Sequence, residues 1–264
     1  MSSPSATATR LTFSDEETAR LLELIEDSDS VELKLTVPDA DHRSAVAALD
    51  MDVLDAQIRQ VAFFDTPDLT LNDKGVVVRA RRVQGKPGDS VVKLRPIIPE
   101  DVSPALRKSP SFGIEVDAMP GGFVCSGSMK AELDPAKVKE AFAGERRISK
   151  LFSKEQRAFF SDRAPAGIAL DELSMLGPIN ILKLKFTPGE FGRRVVAELW
   201  FYPDGSRILE LSSKCAPAVA FDFAAELKTF LAGRGIELGG KQQTKTKTAL
   251  DYFAGQLQAA GGKA

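Results

Sequence analysis

Along residues 30–37, SVELKLTV, apolar Val31, Leu33 and Leu35 alternate with Glu32 and Lys34. Successive side chains of a strand point to opposite faces, so the pattern predicts a strand with one apolar and one charged face. Strand-like runs recur in AQIRQVAFFDT (56–66), GVVVRARRV (75–83), SVVKLRP (90–96), FGIEVDAM (112–119), EQRAFFSD (155–162), AGIALDEL (166–173), NILKLKF (180–186), RVVAELWFY (194–202) and SRILELSSK (206–214). Short turns such as PDGS at 203–206 predict antiparallel hairpins between them. Apolar residues at three- and four-residue spacing predict helices over about 14–27, 38–50, 134–152, 216–235 and 245–258.

On these strands charges recur two apart: Glu32 and Lys34, Arg79 and Arg81, Lys93 and Arg95, Glu115 and Asp117, Lys183 and Lys185. One such face is most simply a face in water. Several of the strands are apolar or small on the other face, which helices or a second sheet must cover. Closing the sheet into a barrel sends the charges into the lumen and the apolar faces outward under the helices. The expected architecture is therefore α+β, an antiparallel barrel of eight or slightly more strands forming a tunnel with helices outside. Cations converging in a tunnel repel one another unless carboxylates are interleaved or an anion is bound. A multivalent anion is the natural guest, since Arg grips phosphate oxygens bidentately, Lys acts as a point charge and carboxylates can hold a bridging divalent cation.

The 264-residue chain can bury a substantial core, and its net charge of −2 provides no global field toward nucleic acid or membrane. Specific nucleic-acid binding is not expected, and any basic site is local. Cys125 and Cys215 are the only cysteines, with no secretion signal pattern and no apolar run near the length of a membrane span, so a cytoplasmic protein with free thiols is expected. The sole histidine, His42, is expected as a surface or boundary residue of the helix over about 38–50, and a His/Cys zinc site is poorly supplied. Residues 1–12 and 258–264 are small and polar, the composition of disordered ends, and nothing in 13–257 is rich enough in Pro, Gly or Ser to divide that stretch into domains.

FFDTPDLTLNDKGVVVRARR, residues 63–82, resembles the aromatic-Phe-Asp-Thr-Pro turn, Leu, Gly and Arg-x-Arg of the CYTH superfamily, the triphosphate tunnel metalloenzymes, which include class IV adenylate cyclases and thiamine, inorganic and RNA triphosphatases. VVKLRP and GIALDEL resemble two further strands of that family. The resemblance implies an eight-stranded tunnel in which basic side chains hold triphosphate and glutamates hold magnesium or manganese. Carried over by position, Lys34, Arg79, Arg81, Lys93, Arg95, Arg157 and Lys245 would bind phosphate, while Glu32 and Asp171 would face the metal and serve catalysis. Two positions depart from the pattern. The family's Glu-x-Glu-x-Lys is Ser30-x-Glu32-x-Lys34 here, and its later Glu-x-Glu falls on Lys183-x-Lys185, which would add to the cationic set. Either the metal site is lost, or Glu198 or Glu210 restores it; Glu210 completes the expected metal set with Glu32 and Asp171. The implied partner is a triphosphate-containing small molecule or polyphosphate, hydrolysed or cyclised, with a binding protein that has lost turnover as the alternative; a homodimer is compatible with either.

Overall fold

The computed structural model describes residues 15–237 and 244–261. The polar segment 1–12 lies outside them. Nine strands are described: Ser30–Val37 (β1), Gln57–Asp65 (β2), Val76–Val83 (β3), Lys86–Leu94 (β4), Phe112–Met119 (β5), Gly122–Leu133 (β6), Ser174–Phe186 (β7), Val195–Phe201 (β8) and Arg207–Cys215 (β9). The described helices are Asp15–Glu26 (α1), His42–Ala48 (α2), Thr70–Asp73 (α3), Pro104–Arg107 (α4), Pro135–Phe142 (α5), Lys154–Arg163 (α6), Ala220–Gly233 (α7) and Lys245–Gly261 (α8). Helix α8 includes residues 258–261, which the sequence pattern assigned to a tail; 262–264 lie outside the described residues.

The strands close into the expected barrel, in the order β1-β5-β6-β4-β3-β2-β7-β8-β9. Every seam is antiparallel except β1 with β5, which runs parallel with Ser30 beside Glu115 and Glu32 beside Asp117. Alternation along each strand separates two environments. Outward Val76, Val78 and Ala80 of β3 join Val138 and Ala141 of α5 and Phe159 and Phe160 of α6 in one core, while Leu35, Leu209 and Leu211 pack with Ala45 of α2 and Leu231 of α7. Burying each Leu or Phe here contributes roughly 2 kcal/mol. Inside the barrel, Val61, Phe63, Ile179, Ile181, Trp200 and Ile208 form an apolar layer against Ala249 and Leu250 of α8.

Two runs expected as strands are not strands. Residues 155–162 lie in α6, because Ser153 and Gln156 form a capping box and Phe159 and Phe160 pack on one side of the resulting helix. Residues 170–172 form a 3₁₀ turn outside the wall, and β7 begins only at Ser174. Strand β6 was hidden by its Gly and Ser content. Small residues are required there, since a Cβ at Gly127 would come within 2.8 Å of the Phe112 ring.

The 63–82 block is a structural device. Buried Asp65 accepts hydrogen bonds from the backbone N–H groups of Thr66 (2.7 Å), Leu71 (2.9 Å) and Asn72 (3.0 Å). Those bonds fix the turn from β2 through α3 into β3, and the parity of β3 then aims Arg79 and Arg81 inward.

Candidate functional site

The lumen is a cavity of about 240 Å³, and among the described residues ten cations and five carboxylates line it. The excess of positive charge is unevenly placed, which divides the wall into three regions.

On β1, β4 and β5 the centre is Asp117, fully buried. Its Oδ1 accepts from Lys34 Nζ at 2.7 Å, and its Oδ2 from Lys93 Nζ at 3.3 Å and Arg95 Nη2 at 3.1 Å. Burial alone would raise the pKa of Asp117, but Lys34, Lys93 and Arg95 hold it well below the usual carboxylate range. Lys34 also lies 3.1 Å from Glu32, and Lys214 pairs with Glu115. Burial opposes the charge on Lys34, yet Asp117, Glu32 and Glu210 keep its pKa above that of an ordinary lysine. Lys93 goes the other way: burial, with Lys34 and Arg95 outweighing the pull of Asp117, pushes it down to about 8. Glu32, Glu115 and Asp117 each offer a carboxylate oxygen within 4.8 Å of the other two. Hard oxygen donors of this kind suit magnesium or manganese. Opposite Glu115 on β6, the buried hydroxyl of Ser126 has no hydrogen-bond partner among the described residues.

On β7, β8, β9 and α8 the charges are matched. Glu198 and Glu210 face each other across the β8–β9 ladder. Lys183 donates to Glu198 at 2.7 Å, and Lys245, the first residue of α8, pairs with Glu198 and lies 2.8 Å from Glu210. Burial would raise the pKa of Glu198, whereas Lys245 and Lys183 hold it well down. Trp200 has the Lys245 ammonium 5.3 Å from its ring centre and stacks with Phe63 at 6.3 Å between ring centres. The indole is buried in the apolar layer.

The third region, on β2, β3 and β6, is almost purely basic: Arg59, Arg79, Arg81 and Lys130. Arg81 forms a bidentate pair with Asp89 at 2.7–3.1 Å. Among the described residues, the buried Nε of Arg79 has no hydrogen-bond partner. Burial and the neighbouring Arg81 push the Arg79 pKa down to about 10, so it remains a cation at neutral pH. A buried guanidinium N–H without a partner is costly unless an anion meets it.

Of the residues selected from sequence, Glu32, Lys34, Arg79, Arg81, Lys93, Arg95, Lys183, Glu210 and Lys245 line this one cavity. Three lie elsewhere. Asp171 sits on the external 3₁₀ turn, accepting from Ser149 N at 2.7 Å and Ser149 Oγ at 2.8 Å and pairing with Arg147. Arg157, on helix α6, donates to the Phe152 carbonyl. Lys185 shares the parity of Lys183 but is exposed near the end of β7. The expected metal set of Glu32, Asp171 and Glu210 is therefore dispersed: Glu32 belongs to the carboxylate trio and Glu210 to the Lys245 pair. Glu115 stands beside Ser30 in the parallel seam, bringing a carboxylate from β5 to where β1 lacks one. Arg59, Lys130 and Lys214 were missed, although the alternation in QIRQV and LELSSK marks Arg59 and Lys214 as sharing a face with residues that line the lumen.

No family model matches the chain, and no curated protein matches it. Solved structures do. A Bacillus halodurans protein described as a candidate adenylate cyclase is 13% identical with a TM-score of 0.58, over 83% of this chain and 97% of that one. A Hippeastrum protein, described as a candidate adenylyl cyclase that reveals a dominant triphosphatase activity, is 19% identical with a TM-score of 0.57, over 80% of this chain and 91% of that one. At such identities the likeness shows a shared fold, the closed barrel with external helices. Among the described residues no helix is long and apolar enough to cross a membrane.

Proposed function

We propose that the lumen binds the triphosphate group of a small molecule or of inorganic polyphosphate and cleaves it with the help of a divalent cation. The observation that carries this reading is the excess of ten cations over five carboxylates around one cavity, with Arg79 Nε lacking a partner among the described residues. Arg59, Arg79, Arg81 and Lys130 would grip phosphate oxygens from one wall, while Lys34, Lys93 and Arg95 reach them from the other. Glu32, Glu115 and Asp117 would hold magnesium or manganese, which when bound neutralises phosphate charge and polarises water. Orientation and charge compensation would provide most of the catalysis. The triphosphatase activity described for the Hippeastrum protein of the same fold supports this reading.

A second reading, a binding protein without turnover, is favoured by one feature. Every carboxylate of the trio is paired with a lysine or arginine of the chain. Phosphate release from tripolyphosphate with manganese, measured beside the ligand-induced shift in melting temperature, separates the two. Release that is lost in Asp117→Asn and Arg79→Ala supports the enzyme. A shift without release supports the binder, and neither release nor shift removes both.

A further inference from the structure

The Glu198–Glu210 pair raises a separate question. Two carboxylates opposed across a ladder repel unless a cation lies between them, and in water-poor surroundings the penalty is larger. Here that cation belongs to the chain. The Lys245 ammonium, half-buried at the start of α8, touches both carboxylates and lies over the Trp200 ring, and Lys183 supplies a second ammonium to Glu198. Two negative and two positive charges then cancel locally, unlike the rest of the lumen.

We infer that Lys245 is a tethered cation occupying a carboxylate pair that would otherwise take a divalent ion, so that the lumen accepts one divalent ion, at Glu32, Glu115 and Asp117, and carries its second cation covalently. Lys245 also lines the cavity, so its charge faces any bound anion whatever the metal concentration. It is fixed in place by residues of two neighbouring strands and by α8 packing on the apolar layer, through Ala249 and Leu250. A lysine ammonium cannot polarise water as a metal ion does, so its contribution is to hold the anion and to anchor α8.

The single-ion part rests on the function proposed above; the tethered-cation part does not, and the experiment keeps them apart. Manganese is titrated calorimetrically, without phosphate, into the parent, K245M and K183M/K245M, each repeated with E198Q/E210Q. The expected result is one equivalent for the parent, a second for K245M, tighter binding of that second ion in K183M/K245M, and its disappearance with E198Q/E210Q. A parent that binds no manganese, together with a K245M that gains one Glu198- and Glu210-dependent ion, defeats the proposed metal function and supports the tethered cation. A parent with two equivalents, the second abolished by E198Q/E210Q, overturns it, as does failure of both lysine variants to gain an ion. Should K245M be poorly folded alone, millimolar manganese is expected to raise its melting temperature more than that of the parent, and an equal or smaller rise overturns the inference as well.

Discussion

Single side chains in this lumen are distinguished by what already holds them. Arg81 is satisfied by Asp89, Lys34 by Asp117 and Glu32, but Arg79 Nε is buried without a partner. Arg79→Ala is therefore expected to weaken tripolyphosphate binding by about 2 kcal/mol or more, roughly thirtyfold. Arg82, of opposite parity and reaching Gln60 at 3.4 Å, should tolerate the same change with affinity altered by less than about twofold. Equal losses in calorimetry would show that the two positions do not face different sides. Lys93 gives a pH signature. With its pKa pushed down to about 8, it is a cation below that pH and neutral above it, so anion affinity should fall as pH rises through about 8. The limit is about tenfold per pH unit, with a proton taken up on binding above pH 8. In the free protein the sign is opposite: the unfolded lysine, near its ordinary value of about 10.4, binds the proton that the folded one has lost, so between the two values stability gains from rising pH. Lys93→Arg should flatten the affinity profile, because Arg stays charged.

At the scale of elements, what could be read from the chain was whatever obeyed a period of two or of four. Arg79 with Arg81 and Lys93 with Arg95 were legible as inward pairs because a single apolar residue, Ala80 or Leu94, separates the two charges of each pair. Residues 155–162 misled because a capping box and two adjacent phenylalanines outweigh local strand propensity, and with that run went Arg157. Asp171 failed for a related reason, since a charged residue beside a Leu looks the same in a strand and in a 3₁₀ turn. The carboxylates Glu115 and Asp117 were visible as a pair, but their meeting with Glu32 depends on a parallel seam that no local pattern announces. Helix α6 carries none of the lumen residues, yet it fixes the wall. Gln156 is fully buried, accepts from Ser90 Oγ and the Ser153 backbone, and donates to the carbonyls of Ser90 at 3.0 Å and Met129 at 3.1 Å. Gln156→Leu strands these groups and is expected to cost about 2–4 kcal/mol. A lower denaturation midpoint at unchanged slope would confirm it, and an unchanged midpoint would show that the network is dispensable.

For the molecule as a whole, charge distribution rather than net charge governs recognition: the chain is slightly acidic, yet its lumen is strongly basic. Tripolyphosphate should therefore raise the melting temperature well beyond the shift from equimolar monophosphate, and both shifts should shrink as ionic strength rises. Equal shifts from the two anions would remove the case for a polyphosphate site. The parallel seam has one more consequence, for how the chain acquires its function. Lys34 and Asp117 are 83 positions apart, and β1 finds its other neighbour only in β9, so the first strand of the barrel waits for the last. Contacts of such long range form late and slowly. Until β9 arrives, β1 and its charges have an open edge, and the cavity lacks Glu210, Lys214 and the seam that closes it. A polyanion held in the lumen favours the closed barrel over the open sheet, so it would act on folding as a template for the final stitch.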